Sequence, residues 1–77
     1  MDYAPLKRIG NRVRSERLRL GISQEELAER AGMHRTYLGG VERGERNIGL
    51  LNLINISKAL RVPPAVLLKD LELNKTK

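Results

Sequence analysis

Arg35, Thr36 and Tyr37 follow one another directly after His34, the single histidine of the chain. Side chains of these types can read a nucleic acid, if an element presents them to one. A planar guanidinium matches the two major-groove acceptors of guanine, a pairing worth roughly 1–3 kcal/mol against a wrong base. The threonine offers a methyl to thymine or a hydroxyl to a phosphate. The tyrosine offers its hydroxyl to the DNA backbone, or its ring to a deformable base step. The plain alternative is that all three are solvated groups on a helix surface. One histidine, no cysteine and no paired carboxylates in a plausible pocket leave no base–nucleophile constellation, so the chain does not read as an enzyme. The same ligand poverty speaks against zinc, and no metal or cofactor is expected. His34 then serves as a weak helix cap, a contact to the DNA backbone, or a bland surface residue.

Composition agrees with a polyanionic partner. The 77 residues carry a formal charge of +6, from 15 basic and 9 acidic side chains. Each phosphate neutralised by such a surface releases condensed counterions. Lys7, Arg8, Arg12, Arg14, Arg17 and Arg19 crowd the first segment against only Asp2 and Glu16. Aromatics are limited to Tyr3 and Tyr37, too few for the stacking platforms of single-strand and RNA binders. Without cysteine there is no disulfide framework, which suits a reducing compartment. No apolar run approaches the roughly 20 residues of a membrane span, and the start MDYAPLKR lacks the apolar stretch of a signal peptide. A cytoplasmic protein that does not engage membranes is expected.

The elements that must position the reading residues are helices, with no alternation long enough for a sheet. The expected fold class is all-α, five helices in one domain over about residues 1–73, with a polar tail at 74–77. The first helix opens after Pro5 and runs to about Leu20, where Gly21 ends it, with Leu6, Ile9, Val13 and Leu20 inward. The second starts at Ser23, whose spacing to Glu26 predicts a reciprocal capping box, and runs to about Arg30. The third covers about 34–43 and stops at Gly44. The fourth spans about 50–60 with Leu50, Leu53, Ile56 and Leu60 inward, and a fifth covers about 64–71 after Val62-Pro63-Pro64.

Between about 24 and 43, Leu27, Ala28, Gly32, Met33, Leu38 and Val41 are the positions a helix-turn-helix fills with apolar or small groups. Ala28 must be small where the helices cross, and Gly32 must accept a positive φ that costs other residues roughly 1 kcal/mol or more. Leu38 and Val41 seat the second helix and leave its far face free for a major groove. An ordinary helical hairpin with a glycine turn is the alternative.

The stretch SQEELAERAGMHRTYLGGVERGERN, followed by NLINISKALRV, resembles the Cro/C1-type helix-turn-helix family of phage and bacterial repressors. Within that family, RTYLGGVERGERN is similar to the controller proteins of restriction–modification systems. The resemblance implies a lambda-repressor-like five-helix domain, a twofold dimer and binding to operator DNA. It places Gln24 against a phosphate, a contact strengthened by the amides at Ser23 and the start of the second helix. It makes Arg46 a DNA-contacting arginine and leaves Arg43 as a backbone clamp. Asn47 touches the backbone or stiffens its loop. It also implies that Arg17 and Glu42 form a partly buried ion pair tying the first helix to the third. Gly39 and Gly40 depart from the wider family, and close approach of the helix to DNA is the expected reason, with shape and bendability supplying specificity.

Leu51 and Ile54 fall outside the inward set of the fourth helix, and related proteins often carry polar residues at the place of Leu51. With Val66 they form the expected dimer surface, unless a wider stripe packs within the chain. A dimer would place two reading helices roughly 34 Å apart, to match half-sites of a pseudo-palindromic operator one DNA turn apart. More than one dimer per operator is compatible with this. The expected function is a transcriptional regulator, a controller acting on its own promoter, with a phage-type repressor or an antitoxin as the alternative. A pure protein-interaction domain would lack salt-dependent DNA affinity.

Overall fold

The computed structural model describes residues 3–71, and the tail at 74–77 lies outside them. Helix α1 spans Ala4–Leu20 with Pro5 in its first turn, where a missing N–H costs nothing. Helix α2 spans Gln24–Ala31, α3 Arg35–Glu42, α4 Leu50–Leu60 and α5 Pro64–Leu67, and a 3-10 turn follows at Lys69–Leu71. No strand occurs among the described residues. The chain is all-α, as its periodicity predicts.

Local signals place the helix ends. Ser23 caps α2, its Oγ accepting the Glu26 N–H at 3.0 Å. The expected reciprocal half of that box is diverted: the Glu26 carboxylate takes an N–H of Arg30, one turn on, at 2.6 Å. A charged donor on the same helix face outcompetes a neutral amide for a carboxylate. Gly32 closes α2 at φ 71°. Met33 there donates its N–H back to the Ala28 carbonyl at 2.9 Å, which fixes the tight turn into α3. The last segment is shorter than expected. It breaks at Leu68 and tightens into i→i+3 bonds, with the Leu71 N–H on the Leu68 carbonyl at 3.0 Å.

Helix α3 is held from behind by α1, and α2 packs on both α3 and α4. Val13, Leu27, Leu38, Ile56, Leu60 and Leu67 are fully buried at the centre. Leu6 and Leu20 are only half-buried. Leu50, expected inward, is 71% exposed. Its helical angle matches the core face, but it is the first residue of α4. Side chains tilt toward a helix N-terminus, so Leu50 projects past the packed layer.

Gly10 sets how closely α1 crosses α3, because a Cβ there would lie 2.3 Å from the Val41 carbonyl oxygen and 2.6 Å from that of Glu42. Only hydrogen fits between two backbones at that distance. No helix among the described residues is long and apolar enough to cross a membrane.

Candidate nucleic-acid interface

The start of α3 is exposed at His34, Arg35 and Thr36. His34 is its N-cap: Nδ1 accepts the Thr36 N–H at 3.1 Å. This satisfies one of the free amides of the first turn and leaves Nε2 uncommitted to the cap. Arg35 has no carboxylate partner among the described residues, so its five N–H donors stay uncommitted.

Two concavities flank this turn. The larger, about 750 Å3, is lined in part by Glu25, Glu26 and Glu29, the wrong sign for phosphate. The smaller, about 230 Å3, is lined by Gln24, Arg35, Thr36, Gly39 and Arg43. Its two arginines, amide and hydroxyl give a polar, cationic cleft at the point where α2 and α3 both begin or pass. Four residues singled out from sequence therefore meet in one place: Gln24, Arg35, Thr36 and Arg43.

The floor beneath the cleft is ionic. Arg17 Nε donates to Glu42 Oε2 at 2.6 Å and Arg17 NH2 to Oε1 at 3.1 Å, across 25 residues of sequence. Arg17 NH1 is spent on the Ile22 carbonyl at 2.9 Å. Gln24 Nε2 donates to Glu42 Oε1 at 3.0 Å, so one of the two amide protons of Gln24 faces inward and the other is left for an outside acceptor. The carboxylate of Glu42 thereby ties α1, the start of α2 and the end of α3 into one rigid corner.

The paired glycines of α3 do not leave open backbone. Both are buried. A Cβ on Gly39 would meet Arg43 NH1 at 3.2 Å and Gln24 Oε1 at 3.5 Å, and one on Gly40 would meet Arg46 Cγ at 2.8 Å. Arginines that follow in the chain fill the space that the glycines leave, and Gly39 also lines the smaller cleft.

Tyr37 is half-buried against the core. Its hydroxyl accepts a hydrogen bond from Asn52 Nδ2 at 3.1 Å, and its ring lies 5.8 Å from Arg46 Cζ. Asn52 is a partner that sequence reasoning misses, because polarity alone gives it no direction. Arg43 also pairs with Glu45 at 3.1 Å. Ser23 and Asn47 are exposed.

Away from this face, Leu51 is 75% exposed beside Leu50 on α4, while Ile54 and Val66 are half-buried. Leu50, which periodicity alone assigns to the core, belongs with Leu51 on the surface. Among the described residues no cluster of His, Asp or Glu is arranged to hold a metal ion.

The helix-turn-helix family profile matches residues 13–67. The control protein C.SmaI of Serratia marcescens is 54% identical over 52 residues, 68% of this chain and 62% of that protein. The control protein C.BamHI of Bacillus amyloliquefaciens is 50% identical over 60 residues, 77% of this chain and 74% of that protein. Among solved structures, the restriction–modification controller protein C.AhdI of Aeromonas hydrophila superposes with a TM-score of 0.82. It is 45% identical and covers 83% of this chain and 97% of that one.

Proposed function

We propose, from the premise that the chain belongs to the helix-turn-helix family, that this regulator reads duplex DNA with the start of α3 and controls its own promoter in a restriction–modification system. One observation carries the reading: the cationic cleft at Gln24, Arg35, Thr36 and Arg43 lies on the exposed end of a helix braced from behind. Arg35 and Thr36 reach base edges, joined by Arg46. Gln24, with Ser23, Tyr37, Arg43, Asn47 and His34, holds the sugar–phosphate backbone. Gln24 has one amide proton free for a phosphate, and the N-terminus of α2 favours an anion beside it.

In this reading the protein acts in the cytoplasm as a homodimer on pseudo-palindromic half-sites about one DNA turn apart. Leu50 and Leu51, adjacent and 71% and 75% exposed, support the dimer, with the half-buried Ile54 and Val66 as its further members. Similarity to control proteins favours the controller over a phage-type repressor or an antitoxin.

Footprinting on the DNA upstream of its own gene is the direct test. Arg35→Ala should lower the ratio of affinities for the protected sequence and for unrelated duplex by roughly 5–150-fold, the value of one bidentate base contact. An unchanged ratio would remove Arg35 from the reading set.

A further inference from the structure

We propose that Gly40, Tyr37 and Asn52 are positioning residues that hold the Arg46 side chain in a preset path across α3, ready for DNA; this rests on the DNA-binding reading above. Arg46 stands in the loop between α3 and α4, where a long side chain would ordinarily sample many rotamers and lose that freedom on binding. Three contacts from three places restrict it. Gly40 supplies the track: a Cβ there would fall 2.8 Å from Arg46 Cγ, 3.1 Å from Nε and 3.5 Å from Cδ, so the stem lies in space that any other residue would fill. Tyr37, one turn earlier on the same face of α3, sets its ring 5.8 Å from Arg46 Cζ, within the distance at which a guanidinium is attracted to an aromatic face.

Asn52 reaches from α4 and donates Nδ2–H to the Tyr37 hydroxyl at 3.1 Å. This pins the phenol, so the ring beneath the guanidinium is held by a second helix. It also occupies the hydroxyl as acceptor and leaves the phenolic proton to be donated elsewhere. Meanwhile Arg46, unlike Arg17, Arg30 and Arg43, has no carboxylate within reach among the described residues. Its cation is placed but not neutralised. That combination suits an external anion or a base edge. It also explains a glycine in mid-helix, which is otherwise unfavourable.

Gly40→Ala separates positioning from folding. Alanine is the better helix former, and the obstructed atoms belong to a side chain, not to backbone, so α3 stays folded while Arg46 is pushed off its track. The first measurement needs no DNA: nuclear Overhauser contacts between the Arg46 γ protons and the α protons of residue 40 in the free protein. They should be strong in the parent, where a Cβ on Gly40 would lie 2.8 Å from Arg46 Cγ, and be lost in Gly40→Ala as the side chain leaves its track. They should weaken in Asn52→Ala.

The second measurement is affinity for a duplex enriched from a random pool by the parent protein. Gly40→Ala and Arg46→Ala should each weaken it about tenfold. Once Gly40→Ala is present, Arg46→Ala should add little, because the contact is already lost. Absence of those contacts in the parent overturns the proposal. So does a Gly40→Ala protein that has lost them while its affinity is unchanged. If the parent enriches no duplex, it is the DNA-binding reading that fails, and the proposal falls with it.

Discussion

Exchanging Glu42 for glutamine removes one charge and almost no volume, and its effect can be worked from the geometry. The carboxylate is 2% exposed and faces an Arg17 side chain that is 10% exposed, with Nε to Oε2 at 2.6 Å. It accepts two bonds from Arg17 and one from Gln24. In Glu42→Gln the amide NH2 must face one donor of Arg17, and the guanidinium keeps only neutral acceptors, the remaining amide oxygen and the Ile22 carbonyl. Stranding one member of a buried pair costs about 3–5 kcal/mol. A chain of 77 residues has roughly 4–12 kcal/mol of total stability, so the single change consumes a large part of it. At about 4–8 °C per kcal/mol for a domain of this size, melting falls by ~12 °C or more. An internal control has the same N···O distance. Arg30 and Glu26 also meet at 2.6 Å, but with side chains 37% and 47% exposed, and Glu26→Gln should cost under about 1 kcal/mol. Replacing both buried partners, Arg17→Met with Glu42→Leu, should recover most of the loss because no charge remains stranded. Urea titration followed by helical circular dichroism measures all of these, with the slope unchanged. A loss below about 1 kcal/mol for Glu42→Gln, or equal losses for the buried and the exposed pair, would refute the reasoning.

Gly10→Ala should destabilise by more than about 2 kcal/mol although alanine favours helix, because its Cβ would strike the Val41 and Glu42 carbonyls and backbone cannot step aside as a side chain can. An unchanged or raised melting temperature would contradict that crossing. Leu51→Glu places a charge on the exposed α4 patch and should shift sedimentation toward monomer at micromolar concentration; an unaltered dimer would exclude this surface. Gln24→Ala should weaken binding to operator and to unrelated duplex by similar factors, since a phosphate contact carries no sequence. A change in their ratio would argue that Gln24 touches a base.

What the sequence made legible was local. Ser23 before α2, Gly21, Gly32 and Gly44 after three helices, and Pro5 near the first turn each act within a few residues of themselves, so the helix ends follow from them. The span of α4 agrees to the residue. The misjudged features depend on what another element does. Periodicity gives Leu50 an angle but not a depth, and the core ends before it. Glu26 has two possible partners, and only energetics choose Arg30 over the Ser23 amide. Gly40 looks like bare backbone until Arg46, six residues on, is seen to fill it. Gly10 gave no signal, for nothing local requires a glycine in mid-helix; the Val41 carbonyl does. Nothing in spacing links Arg17 to Glu42, and the family resemblance alone joined them.

Charge counting shows the same boundary from another side. The basic run of α1 invites the inference that this helix faces a polyanion. Yet Arg12 is held by Asp70 at 3.1 Å and by Glu16 at 3.7 Å, Arg17 by Glu42 and Arg19 by Glu16 at 2.8 Å. Half of the run is thus neutralised within the fold, and a paired cation releases little counterion when a phosphate approaches. Arg35 and Arg46, in a segment with no such excess of basic residues, also keep their cations without carboxylate partners among the described residues. Lys7, Arg8 and Arg14 are equally unpaired among the described residues, so pairing narrows the free cationic surface without confining it to one element. What sets Arg35 apart is its place on the exposed start of α3, a helix that α1 braces from behind.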